Sequence, residues 1–234
     1  MIIWSLFDGS GYAALPHAQA GHTVLCFNAD EGDHGSYSKY ACRVTHPNIV
    51  YINLWLDIDF RYEAYTMLYG NPELIMAFPP CTDLANSGSR AWADKRKRNP
   101  LFQIQAAQTA KLGAYVAEMI GCAYMVENPV GRLSTLWRKP DEIFQPWEYG
   151  AYLPSDDVHP HFPEFIAPRD AYPKTTCLWT GGGFVMPARK PVPPKPTHND
   201  KSDQYNRLGG KSARTKIIRS LTPRGFATAV HAAN

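Results

Sequence analysis

The sequence predicts an α/β protein built on a doubly wound, mostly parallel sheet with a small irregular subdomain appended. Three observations carry that expectation. Short apolar runs alternate with helical patterns through the first 137 residues. Those runs are apolar throughout rather than on alternate positions, as in strands covered on both faces. Beyond about residue 138 the texture changes, with prolines crowding in and long helical patterns ending.

The elements follow in order. IIWSLF is a first strand; Gly9 and Gly11 then lead into a small-residue helix at about 12–20 that ends near Gly21. HTVLCFN is a second strand ending at Asp30. After the polar insertion EGDHGS, SKYACRVTH reads as a helix. NIVYINL and PELIMAF are the third and fourth strands. LFQIQAAQTAKLGAYVAEMI repeats apolar residues at helical spacing for about five turns, with Gly121 suited to its end. CAYMVE is a fifth strand. In the second part only TTCLWTGG reads clearly as a strand. The tryptophans and phenylalanines there (Trp137, Trp147, Phe162, Phe165, Trp179) need burial, which argues against disorder. The closing SLTPRGFATAVHAA reads as a helix with Thr222 at its N-cap and Pro223 at its first position. The expected division is 1–137 as the cofactor-binding and catalytic part, 138–215 as a small recognition part, and 216–234 as a helix returning to the first.

Composition narrows the function classes. The chain has 234 residues, 44% hydrophobic and 19% charged, with a net charge of +3. No apolar run approaches the roughly 18 residues of a membrane span. The start, MIIWSLFDG, lacks a basic leader and reads as a strand. Five scattered cysteines form no C-x-x-C pair, which points to a reducing cytoplasm and to neither a disulfide framework nor a zinc site. His159, His161 and Cys177 match no zinc spacing, so no metal is expected. Basic residues gather at ADKRKR (93–98) and between Arg189 and Arg224, the pattern of a protein with a polyanionic partner.

In an open α/β sheet, ligands collect at the carboxyl ends of the strands. There the sequence places Gly9 and Gly11 for close backbone approach, Asp30 for a ribose diol and Asp57 for an adenine amino group, together pointing to a nucleoside-type cofactor. The fourth strand ends in Pro79-Pro80-Cys81 and the fifth in Glu127-Asn128-Pro129. A thiolate adds to C6 of a pyrimidine only if electron density drains toward N3 or O2. A protonated carboxyl on the neighbouring strand end supplies that hydrogen bond.

With these residues in place, the chain resembles the cytosine-C5 DNA methyltransferase family, in particular its short, phage-type members. The matching stretches run in the family's order: LFDGSG, Asp30, LDID, FPPC, VENP, YPKTTCLWTGG and LTPRGFATAV. The resemblance implies a Rossmann-like S-adenosylmethionine-dependent methyltransferase fold and a DNA partner, with the protein acting as a monomer. It implies catalytic roles for Cys81, Glu127, Asn128 and Pro80, and cofactor contacts at Phe7, Asp8, Gly9, Ser10, Gly11, Asp30, Asp57, Ile58 and Pro79. Thr82–Arg98 corresponds to a loop that closes over an extruded base, with Ser87, Arg90, Lys97 and Arg98 toward DNA. The family's Gln-x-Arg stretch reads PKTTC here, with Lys174 or Thr176 standing in. The usual acid of the first strand is Ser5, and Asp8 occupies a position normally small and neutral. That exchange leaves open a related one-carbon transfer from methylene-tetrahydrofolate. A single-stranded DNA or free-nucleotide acceptor also stays open, as does a non-catalytic DNA-binding relative.

Overall fold

The computed structural model describes residues 1–30, 42–209 and 212–234. A seven-stranded mixed sheet with the order β3-β2-β1-β4-β5-β7-β6 carries the fold. Its strands are β1 (Ile2–Leu6), β2 (Thr23–Asn28), β3 (Ile49–Asn53), β4 (Leu74–Ala77), β5 (Ala123–Pro129), β6 (Glu142–Phe144) and β7 (Thr176–Gly181). β1 to β5 run parallel, whereas β7 is antiparallel to both β5 and β6. Because β1 lies between β2 and β4, the strand order reverses there, and the connections leave in opposite directions to open a crevice at the carboxyl ends.

Helices cover both faces: α1 (Leu15–Gln19), α2 (Phe60–Tyr65), α3 (Trp92–Arg98), α4 (Phe102–Ile120), α5 (Leu133–Leu136), α6 (Asp203–Arg207), α7 (Ala213–Ser220) and α8 (Arg224–Ala233). The period of two along each strand assigns side chains to two cores. Trp4 and Leu6 of β1 and Ile75 of β4 join the face covered by α2 and α4. Ile3 and Met76 point the other way, onto α1 and α8. Every residue of β4 is buried, which explains its unbroken apolar run. On the second face Phe226 of α8 stacks on Phe144 of β6 at 4.3 Å between centroids. Complete burial of such a ring contributes about 1.5–3 kcal/mol. A third, smaller core joins Phe162, Ile166 and Tyr172 to α7 and to Tyr12 and Cys42.

Several expectations need correction. Within 138–215, β6 and β7 belong to the main sheet, while Phe162, Ile166, Ala167, Tyr172 and Leu208 join the third core. The boundary at residue 216 falls inside α7, which is separate from α8. Much of the helix expected over SKYACRVTH lies outside the described residues, but 42–46 are not helical. Instead they strap the loop after β1: Val44 N–H donates to Ser10 O at 2.9 Å and Arg43 Nε to Gly9 O at 2.8 Å. The closing helix starts one residue late, because Pro223 keeps an extended ψ of 125°. Its cap comes from a distant carboxylate, with Gly225 N–H donating to Asp170 Oδ2 at 2.8 Å. Among the described residues no helix is long and apolar enough to cross a membrane.

Candidate active site

A cleft of about 570 Å³ opens at the carboxyl ends of β1, β2, β4 and β5. The chain after β1 turns through Phe7, held at φ 60°. Such a left-handed conformation in a bulky residue persists only where its surroundings impose it. Asp8, next along, is buried and fully engaged. Its Oδ1 accepts from Gly11 N–H (2.7 Å), Ser10 N–H (3.1 Å) and Ser10 Oγ (3.0 Å), and its Oδ2 accepts from Ser5 Oγ (2.9 Å). Burial nevertheless pushes the Asp8 pKa up, against the pull of those hydrogen bonds. Gly11 has φ 76°, and a Cβ there would lie 2.1 Å from the Tyr51 hydroxyl, so this turn admits only glycine.

At the end of β2 the cleft meets Asn28 and Ala29 rather than Asp30. The Asp30 carboxylate is engaged by Arg43 at 2.7 Å and by Asn28 Nδ2 at 2.9 Å. After β3, Asp57 and Trp55 both line the cleft, and Trp55 is 62% exposed. One Asp57 oxygen accepts from Asp59 N–H at 2.8 Å.

The turn after β4 is rigid. Pro79 is buried, and the Cys81 carbonyl accepts from both Leu84 N–H (3.0 Å) and Ala85 N–H (2.8 Å), closing the chain behind the thiol. From β5, Asn128 reaches across the strand gap and donates its Nδ2 to Pro79 O at 3.1 Å. Asn128 is thus buried beneath the cleft, a brace between the two turns. Cys81 and Glu127 both face the cleft.

Electrostatics couple these two groups to a third. Burial raises the Cys81 thiol pKa and the Glu127 carboxylate raises it further, while the Lys174 ammonium pulls it down. Burial also raises the Glu127 pKa, again opposed by Lys174. Lys174 lines the cleft and donates Nζ to the Arg219 carbonyl at 3.0 Å, while its own N–H donates to Gln145 Oε1 at 2.7 Å. A thiol, a carboxyl held toward its protonated form and an ammonium therefore share one cavity.

The expected residues divide accordingly. Phe7, Asp8, Ser10, Asp57, Pro79, Pro80, Cys81, Glu127 and Lys174 line the cleft. Gly9, Gly11, Asp30 and Asn128 build its walls from behind. Ile58 is 53% exposed and outside the lining. Thr176 lies outside the lining: it is buried in β7, opposite Pro129 and Phe144, and donates Oγ1 to Lys174 O at 2.8 Å. Ser87, Arg90, Lys97 and Arg98 are exposed outside the lining.

The segment from Thr82 to Arg98 is ordered as a 3-10 turn over Asn86–Ala91 followed by α3. An isolated bridge, Ala85 to Gly131, ties its near end to the turn after β5. Gly131 has no room for a side chain, since a Cβ would sit 2.0 Å from Leu84 O. Lys95 pairs with Asp83 across the segment.

Sequence reasoning missed one whole wall. Phe102, Gln105, Ala106 and Thr109 on one face of α4 line the cleft, as do Arg219, Ser220 and Thr222. The spacing at 102, 106 and 109 is visible in the sequence, but it is the same signal that marks a helix's core face. No protein-family model matches this chain, and no curated protein matches it.

Proposed function

We propose that this protein is a DNA cytosine-C5 methyltransferase that works through a covalent bond between Cys81 and C6 of the target base. The observation that carries the proposal is the shared cleft, which is lined by the thiol after β4, the burial-shifted carboxyl on β5 and Lys174, whose ammonium acts on both. The doubly wound strand order supports the same reading.

The methyl donor, S-adenosylmethionine, would lie over the turn after β1, with Asn28, Trp55 and Asp57 toward its nucleoside. An exposed indole beside a carboxylate and an amide suits a flat base with a polar edge and a ribose. This group supplies an electrophilic methyl on a sulfonium. The remaining work falls to side chains. Cys81 gives its proton to solvent as sulfur bonds to C6, and Glu127 gives its proton to N3, so the ring carries no net negative charge. C5 thereby becomes nucleophilic and would take the methyl, with the S–CH3 bond breaking and the sulfonium leaving as a neutral thioether. Solvent acting as base then takes the C5 proton, which expels Cys81 as thiolate by β-elimination, and the N3 proton returns to the Glu127 carboxylate. Lys174 favours the thiolate before attack, and the Asn128–Pro79 hydrogen bond holds the two turns in register throughout.

The Ser5/Asp8 exchange is accounted for inside the loop, where the two side chains bond each other. Mass spectrometry of the product base separates methyl transfer from the hydroxymethyl transfer that a folate donor would give. Incubation with labelled S-adenosylmethionine and cytosine-containing DNA should transfer label to the base, and 5-fluorocytosine DNA should become covalently attached. Absence of both would overturn the proposal.

A further inference from the structure

Beside the cleft, one exposed aromatic stands among cations drawn from different elements. Tyr205 on α6 is 58% exposed, and the Lys201 ammonium lies over its ring at 4.1 Å. Arg219, from α7, donates to Leu208 O at 2.6 Å and to Gln204 O at 3.5 Å, so its guanidinium sits against the backbone that carries Tyr205. The same Arg219 lines the cleft, and its carbonyl holds Lys174. Arg90, on the segment after Cys81, also acts electrostatically on Tyr205, and Lys201, Arg90 and Arg219 all favour the ionised form of its hydroxyl. Among the described residues, no carboxylate pairs with Arg90, Lys201 or Arg219, whereas nearby Lys195 and Lys95 are paired with Asp203 and Asp83.

An exposed ring among unpaired cations is the chemistry that receives a nucleobase by its face and the flanking phosphates by charge. A lone nucleotide entering the cleft would have no use for a second flat surface outside it. We propose that Tyr205 is a stacking platform for a base adjoining the target, with Lys201, Arg90 and Arg219 on its phosphates, and that the substrate enters as an unstacked polynucleotide strand. The inference rests on the nucleic-acid reading of the cleft and specifies the form of substrate it takes. Arg90 also gains a partner across the cleft mouth, so a bound strand would bridge the segment after Cys81 to α6.

The test uses the full chain and fluorescence anisotropy with a labelled single-stranded deoxyoligonucleotide containing cytosine, with dCMP as competitor. Tyr205→Ala should raise the oligonucleotide Kd by about 5- to 150-fold, the range found for loss of one base-aromatic stack. Tyr205→Phe should stay within about twofold of the native protein, because the face of the ring is retained. Competition by dCMP should be unchanged in both variants. A Tyr205→Ala protein that binds the oligonucleotide as the native chain does, or that loses dCMP equally, overturns the platform alone. A native chain that binds no oligonucleotide overturns it together with the nucleic-acid reading. Circular dichroism confirms that the exposed substitution leaves the fold intact.

Discussion

The two edges of the sheet bury titratable groups in different ways. At the carboxyl edge, Glu127 and Cys81 are pushed toward their neutral forms by burial but open on a cleft and feel the opposing Lys174 ammonium. At the amino edge, His17, His22 and His231 pack ring against ring, with centroids 4.9 to 6.3 Å apart. Both ring nitrogens of His17 are without a hydrogen-bond partner among the described residues. Burial and its like-charged neighbours push the His17 pKa down to about 3. Burial alone therefore does not distinguish a reactive site. What separates the edges is a neighbour of opposite sign and a volume in which a reactant fits.

If that distinction is right, substitutions at one edge should cost activity and at the other stability. The largest effect belongs to Cys81→Ala, which should abolish both methyl transfer and the 5-fluorocytosine adduct, read by denaturing gel. Glu127→Gln should lower the transfer rate by about 10²–10⁴-fold, the usual contribution of a positioned acid. Its thermal midpoint should hold or rise, because burial disfavours the carboxylate. A matching fall in stability would mean that the carboxyl edge is structural like its counterpart.

The amino edge should respond to acid. The folded His17 pKa lies below the unfolded value of about 6.5, so its neutral form stabilises the fold fully above that value. That contribution is lost as pH falls from 6.5 toward 3, amounting to about 2 kcal/mol by pH 5. His159, pushed down to about 3 mainly by its own burial, adds a similar loss. Urea titrations of His17→Leu at pH 7 and pH 5 should therefore show the His17 share gone and the His159 share kept. An unchanged acid loss would place the sensitivity elsewhere.

The smallest expected effect sharpens the electrostatic contrast. Lys174 lowers the pKa values of both Cys81 and Glu127, so Lys174→Met should raise both. The two limbs of the pH–rate profile should then move to higher pH together, with about a tenfold loss at neutral pH for each unit of thiol shift. A profile that changes height without moving would show that Lys174 contacts the base without tuning the pair.

Much of this arrangement was legible in the chain because parallel strands write their ends in sequence order. β1 to β5 and β7 fall where apolar runs predict them, and Gly121 ends α4 in the left-handed conformation expected of it. β6 was not legible: it is only Glu142–Phe144 and mixes charge with apolar residues. The strap at 42–46 reads as helix locally, yet tertiary bonds to Ser10 and Gly9 hold it otherwise. In the site, Cys81 and Glu127 could be read because each follows its own strand. Trp55, Arg219 and the α4 face could not, since only folding sets them beside that pair. Asp30 shows the converse, a residue in the expected place whose carboxylate is engaged by Arg43.

The tie between Ala85 and Gly131 has a bearing on how such a protein diversifies. It anchors the segment after Cys81 at one end, while Asn99, bonded to Leu101 and Gln105, fastens the start of α4 at the other. Residues 86–98 thus form a cassette spliced between two fixed points. Exchanging it for another of similar length that keeps the Lys95–Asp83 pair should leave the spacing of thiol and acid undisturbed. New partners could be acquired there while the chemistry below is inherited intact.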